Sequence, residues 1–217
     1  MNELHTITIN NLSKTINGTE VLNNINLTVK SGCLYGFVGK NGSGKSMLFR
    51  ALSGLIRPTS GKILIDGKEL HKDIKTVGRL GIIIENAGLY PEFTGYKNLQ
   101  LLAKVNKIAR NEEIIEAITR VGLDPHDKRT VKKYSLGMRQ RIVIAQAIME
   151  KPDFLFLDEP TNALDESGVE LVHNIIKEEV KRGALVLLSS HSKEDIENLC
   201  DKKYIMAGGK LIEGESL

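Results

Sequence analysis

The stretch GKNGSGKS, Gly39 to Ser46, carries the residue types most directly suited to chemistry in this chain. Glycines at this spacing let the backbone curl so that successive N–H groups point inward, which makes a cradle for phosphate oxygens. The apolar run LYGFV precedes it and a helical stripe (Met47, Leu48, Ala51, Leu52, Leu55) follows. The cradle therefore sits where a strand turns into a helix, whose N-terminus adds positive potential. In such a loop Gly39, Lys40, Asn41, Gly42, Ser43 and Gly44 shape the backbone around the phosphates. Lys45 reaches the terminal phosphates and the Ser46 hydroxyl is a Mg²⁺ ligand.

A phosphate site of this kind needs an acidic group at the end of a buried strand, and DFLFLDEP supplies two. Asp158 is placed to hold Mg²⁺ opposite Ser46. Glu159, one residue on and on the other side of the strand end, is placed to polarise a water for in-line attack on a γ-phosphate. Read alone, Asp-Glu-Pro is an ordinary strand-to-loop turn with solvated acids; the phosphate cradle upstream decides for the functional reading. His191 follows the next apolar run, ALVLLSSH, and so falls on the same carboxyl edge of a sheet, where α/β proteins bind ligands. It is a candidate donor to the γ-phosphate, although a lone histidine at a strand end is more often structural. YSLGMRQR (134–141) has no catalytic group, yet Ser135 and Gly137 at a helix start make a second anion-binding feature, or an ordinary helix cap.

The elements that must position these groups fall into three zones. Residues 3 to about 80 are strand-rich: Ile7 and Ile9, then Ile25, Leu27 and Val29, alternate with polar residues, and Asp66-Gly67 signals a hairpin turn. From about 94 to 150 the period is helical, with Asn111 as N-cap, Ile114, Ile115, Ile118 and Val121 as the apolar stripe and Gly122 as the stop. From 153 onwards short unbroken apolar runs alternate with a helix whose face is Val169, Val172, Ile176 and Val180, ending at Gly183. The pattern predicts an α/β fold: a mostly parallel sheet, an antiparallel β subdomain near the N-terminus and an inserted α-helical subdomain. As boundaries, approximately 1–90 and 151–217 form the core and 91–150 the helical insertion, within one domain spanning 1–217.

With 217 residues, 41% hydrophobic and 26% charged, the chain can bury a real core and is not disordered. The net charge of +3 is too mild for a polyanion-binding protein. Cys33 and Cys200 lie far apart without metal-ligand spacing, which predicts reduced thiols in a cytosolic protein. No apolar signal segment opens the chain and no run is long enough to span a membrane, so the expectation is a protein soluble by itself.

Taken in order, GKNGSGKS, YSLGMRQR, FLFLDEP, NALD and SSH resemble the nucleotide-binding subunit of an ATP-binding-cassette (ABC) transporter, with a P-loop NTPase core. The resemblance extends from about Leu4 to Glu213. It implies an ATPase with ATP and Mg²⁺ as cofactors, in which two subunits sandwich two ATP molecules. Each ATP would be bound by Gly39–Ser46 of one subunit and by Ser135 and Gly137 of the other, a homodimer being expected. By position it further implies Asp158 as the Mg²⁺ carboxylate, Glu159 as catalytic base, His191 as switch histidine and Asp165 as a contact to the opposite subunit. A multi-span membrane permease would be the partner, placing the protein in the cytoplasm, peripheral on the inner face of the membrane.

Three departures from the family pattern stand out. Ile16 occupies the position of the aromatic residue that stacks on adenine. Glu85, in IIIENAGLYPEFTGYKNL, stands where a glutamine is usual and is the third expected metal ligand. The signature reads Tyr134-Ser135-Leu136-Gly137-Met138 instead of Leu-Ser-Gly-Gly-Gln. Glu85 and YSLGMRQR together resemble the branch that exports bacitracin, lantibiotics and related peptides. A soluble ABC-type ATPase acting on nucleic acid or the translation machinery is the alternative, but such proteins have paired cassettes or a long coiled-coil insertion. The basic run Lys128, Arg129, Lys132, Lys133, Arg139, Arg141 lacks interleaved aromatics, so no nucleic-acid partner is expected and the run reads as a solvated face plus phosphate contacts. Asp158, Glu159 and His191 together argue against a non-hydrolysing regulatory binder.

Overall fold

The computed structural model of the chain describes residues 4–84, 88–191 and 193–213. Two long strands come first, β1 (Thr6–Ile16) and β2 (Thr19–Lys30), paired antiparallel. Their period-two alternation buries Ile7, Ile9, Ile25, Leu27 and Val29, as the sequence pattern implies. β3 (Leu34–Val38) and helix α1 (Lys45–Leu52) follow, then β4 (Ser60–Ile65), β5 (Lys68–Glu69) and β6 (Leu80–Ile83). At the β4–β5 turn Asp66 (φ 50°) and Gly67 (φ 80°) are both left-handed, the backbone that a tight two-residue hairpin requires.

The helical part comprises α2 (Gly95–Asn106), α3 (Asn111–Arg120) and α4 (Leu136–Ile148), with a 3-10 turn at Val131–Lys133. The remainder alternates: β7 (Phe154–Asp158), α5 (Glu166–Arg182), β8 (Leu185–Ser190), α6 (Lys193–Leu199), β9 (Lys202–Ala207) and β10 (Lys210–Glu213).

The strands form two sheets, an antiparallel one in the order β2-β1-β4-β5 and a six-stranded one in the order β10-β9-β3-β8-β7-β6. Every pairing in the second is parallel except β9 with β10. Alternation along its central strands divides the molecule into two apolar clusters. Phe37, Phe154, Phe156, Leu185 and Leu187 pack with α1 and the antiparallel sheet. Leu155, Leu157, Val186 and Leu188 pack with α2, α3, α4 and α5. The helical insertion is thus built onto one face of the parallel sheet and shares its core.

Three local expectations are corrected. The α1 stripe stops at Leu52: Gly54 turns the chain with φ 80°, and Leu55 is left 67% exposed. Asn111 is the first helical residue of α3, not its cap. Arg110 occupies the cap, and Glu113 at N3 reaches back to accept its backbone N–H at 2.8 Å. The buried face of α5 is Val172, Ile175, Ile176 and, unexpectedly, Glu179, while Val169 and Val180 are half-buried. Two arginines make that burial tolerable: Arg120 Nη1 donates to Glu179 Oε1 at 2.9 Å and Arg182 Nε to Oε2 at 2.8 Å.

Candidate active site

β3, β7 and β8 are adjacent, and their carboxyl ends deliver Gly39, Asp158 and His191 to one edge of the sheet. From Gly39 the chain runs through a loop in which Gly42 (φ 78°) and Gly44 (φ 110°) are left-handed. Gly44 is also the N-cap of α1, so the helix N-terminus opens directly onto the loop. Gly39 is required by contact, since a Cβ there would lie 2.4 Å from the Met206 carbonyl oxygen and 2.5 Å from Ser43 Oγ. A cavity of about 380 Å³ opens in front of the loop, lined by Asn41 to Met47 together with Val21, Arg50, Asp158 and Glu159. Gly39 and Lys40 lie behind this lining, Gly39 accepting Lys45 through its carbonyl and Lys40 accepting the Ser43 N–H at 3.0 Å.

Two features of the cavity call for an anion. Lys45 is 6% exposed, and its ammonium meets the Gly39 carbonyl at 2.7 Å and Glu159 Oε1 at 3.7 Å, leaving donor capacity in a buried place. The Ser43 hydroxyl is also buried, with no hydrogen-bond partner among the described residues. Both groups are in place for oxygens that a polyphosphate brings. A divalent cation fits beside them, because Ser46 and the 7%-exposed carboxylate of Asp158 line the same space.

Glu159 departs from the expectation that it points to the other side of the strand end. Simple alternation would separate it from Asp158. Its left-handed backbone (φ 52°) instead brings both carboxylates to the one cavity. Non-glycine residues rarely adopt this conformation, and such strain gathers at functional sites. The turn is pinned by the Glu159 N–H donating to the Ser189 carbonyl at 3.0 Å. Glu159 Oε2 accepts the His191 backbone N–H at 3.2 Å and lies 2.8 Å from His191 Nδ1. The carboxylate is therefore held between a buried ammonium and an exposed imidazole, an arrangement able to take a proton from a water beside a phosphate.

Ser135 is the N-cap of α4, its hydroxyl accepting the Met138 N–H at 3.1 Å, and it is exposed. Neither Ser135 nor Gly137 lines the cavity. Gly137 is held close to the segment after Glu159, where a Cβ would stand 3.1 Å from the Ala163 carbonyl oxygen. Gln140 Nε2 donates to the Pro160 carbonyl at 2.8 Å, and Arg141 pairs with Asp165 at 3.4 Å. Asp165 caps α5 by accepting the Gly168 N–H at 3.0 Å, and that hydrogen bond, with help from Ser167, holds its carboxyl below the usual carboxylate range. Tyr134 is buried, its phenol pushed up chiefly by that burial, and packs over Gly95.

Ile16 lies at the β1–β2 turn, 38% exposed, and is absent from the cavity lining, where Val21 and Met47 are the larger apolar side chains. Glu85 lies outside the described residues. The arginines of the basic run are spent on local structure: Arg139 donates to the Tyr134 carbonyl, Arg141 to Asp165 and Arg129 to Asp127. Val21 and Arg50 went unnoticed in the sequence because no motif marks them, and Ser189, although within SSH, because its place at the site comes from strand pairing.

The sequence profile of the family described as ABC transporter matches residues 22–162. The uncharacterized ABC transporter ATP-binding protein YybJ of Bacillus subtilis (strain 168) is 52% identical over 211 residues, which cover 97% of each chain. The chain belongs to the ABC transporter family. This ABC protein is also 41% identical to the bacitracin transport ATP-binding protein BcrA of Bacillus licheniformis, over 93% of its own length and 67% of BcrA. Its fold matches the dimeric post-hydrolysis state of the ATP-binding cassette MJ0796 bound to ADP and Pi. The TM-score is 0.88 at 22% identity, over 97% of this chain and 99% of that chain, a likeness of fold. The ABC subunit described here is thus an ATP-binding protein and an ATPase that works on ATP with Mg²⁺. Among its described residues no helix is long and apolar enough to cross a membrane.

Proposed function

We propose that this ABC ATPase energises export of a peptide antibiotic or similar cargo through a multi-span permease. It would work as a pair of copies, peripheral to the inner face of the membrane. The loop Gly39–Ser46 of one copy holds the phosphates, Ser46 and Asp158 hold Mg²⁺, Glu159 is the base and His191 orients it. Bound Mg²⁺ supplies charge neutralisation on the phosphate oxygens. Ser135 and Gly137 of the second copy donate to the same γ-phosphate, Asp165 lies at the contact between copies, and Ile16 flanks the base. Glu85 is assigned the role of an additional oxygen ligand.

The observation that carries the reading is the separation of two anion-binding features. Lys45, Ser46, Asp158 and Glu159 share one cavity, whereas the Ser135–Gly137 helix start is exposed and lies outside its lining. A cavity closed by the other feature of a second copy would exclude bulk solvent while keeping the attacking water beside Glu159, and would make turnover depend on pairing. The likeness to a bacitracin transport ATP-binding protein supports the choice of cargo. The test is Glu159→Gln, which keeps shape and hydrogen bonding but removes the base. It should bind MgATP, accumulate as a dimer by size-exclusion chromatography and turn over at least about a hundredfold more slowly. ATPase activity equal to the unaltered protein would refute the assignment. Cargo is tested by coexpression with a candidate multi-span permease, where resistance to bacitracin-like peptides should rise and fall with ATPase activity.

A further inference from the structure

The last residues of β8 do not fit the strand they end. Leu185, Val186, Leu187 and Leu188 are wholly buried aliphatics, and then Ser189, with 0% exposure, puts a hydroxyl where a fifth would pack. A buried hydroxyl without a partner is destabilising, so such a serine needs an acceptor. Strand register provides it. In the parallel β7–β8 pair Asp158 stands opposite Ser189, and side chains at paired positions share a face. By alternation that face is the one of Phe156 and Leu187, which α1 covers. The Ser189 hydroxyl hydrogen-bonds Asp158 Oδ1 there. An ionised carboxylate only accepts, so the serine is the donor.

We propose that Ser189 is a positioning residue for the metal-binding carboxylate. By holding Oδ1 it fixes the rotation of the Asp158 side chain and leaves Oδ2 available for the Mg²⁺ that Asp158 and Ser46 would hold. Asp158 continues to line the cavity while its other oxygen is engaged, which is the condition this role requires. Carboxylates that bind metals are oriented in this way by hydrogen bonds from behind. The proposal rests on the reading of Asp158 as the Mg²⁺ carboxylate.

The test uses Mn²⁺ as the probe, read by its electron paramagnetic resonance signal, on the full chain with ATP in a Glu159→Gln background that does not hydrolyse it. Ser189→Ala should weaken Mn²⁺ binding about tenfold, the loss typical of removing a partner behind a metal ligand. ATP affinity measured in EDTA should stay within about twofold, because the phosphate loop is untouched. Ser189→Thr and Ser189→Val form a second, isosteric pair that differs in the hydroxyl alone, with Thr expected to retain Mn²⁺ and Val to lose it. This pair decides if the alanine variant folds poorly, as read by thermal unfolding. In an Asp158→Asn background Ser189→Ala should cost nothing further. The proposal is overturned if the hydroxyl-free variants bind Mn²⁺ like their parents, if ATP affinity in EDTA falls equally, or if the loss persists without the carboxylate. Unchanged Mn²⁺ binding in Asp158→Asn alone would instead sink the assignment of Asp158 itself.

Discussion

A buried ammonium is tolerated only where acceptors or opposite charge meet it, and among the described residues Lys45 meets one carbonyl at 2.7 Å and one carboxylate at 3.7 Å. Its neighbour Glu159 accepts a left-handed backbone to stand near it. Lys45 therefore keeps donor capacity suited to phosphate oxygens, and Glu159 holds a backbone conformation uncommon outside functional sites. Gly39 is the residue that leaves them no slack. Gly39→Ala drives a methyl group against the Met206 carbonyl and Ser43 Oγ, at 2.4 and 2.5 Å, so the loop must shift. Affinity for a fluorescent ATP analogue should fall by more than about tenfold, a loss of at least about 1.4 kcal/mol in binding. Unaltered binding would mean that the loop has slack which these distances deny.

At the scale of elements, the N-terminus of α4 combines a helix cap with the proposed phosphate contact. Ser135 caps the helix through the Met138 N–H whether or not a phosphate is present. The two roles separate in Ser135→Asp. Aspartate caps as well as serine and suits the positive helix end, so unfolding free energy should change by less than about 0.5 kcal/mol. A carboxylate facing a γ-phosphate repels it, and turnover should drop by more than about tenfold with ATP binding to the single subunit unchanged. Full activity in this variant would assign Ser135 to capping alone. The helix start is also tied, through Gln140 to Pro160 and Arg141 to Asp165, to the segment that follows Glu159. The two anion-binding features are therefore mechanically linked within one chain.

The whole molecule is two apolar clusters divided by the parallel sheet, with helices α2 to α4 joined to the cluster that also holds α5. A polar pin crosses that junction. Arg120 at the end of α3 donates to Glu178 at 2.8 Å and to Glu179 at 2.9 Å on α5. Burial alone would lower the Arg120 guanidinium, yet the two carboxylates override it and raise it. Removing one partner of a buried pair leaves a charge without compensation. Arg182 still meets Glu179, so Arg120→Ala should destabilise by about 2 kcal/mol in urea-induced unfolding, less than the about 3–5 kcal/mol of a buried charge left with no partner. A change under about 0.5 kcal/mol would show that Arg182 suffices and that the pin is decorative.

Much of this was already legible in residue types and spacing. A Gly-rich loop before Lys-Ser, acids after an unbroken apolar strand and a serine at a helix start each state their local geometry, because backbone curl, burial and capping depend on neighbours along the chain. Period-two and period-3.6 patterns likewise announce strands and helices and the α/β class. The exceptions all needed contacts distant in sequence. Ser189 reads as an ordinary serine until β7–β8 register sets it against Asp158. Glu179 reads as a solvated acid until Arg120 and Arg182 converge on it. Alternation assigns Glu159 to the wrong side until its backbone turns left-handed under the bond to the Ser189 carbonyl. Local pattern sets what each segment can be. Which side chains meet depends on how strands pair and helices face, and those choices are made by the packing of the whole chain.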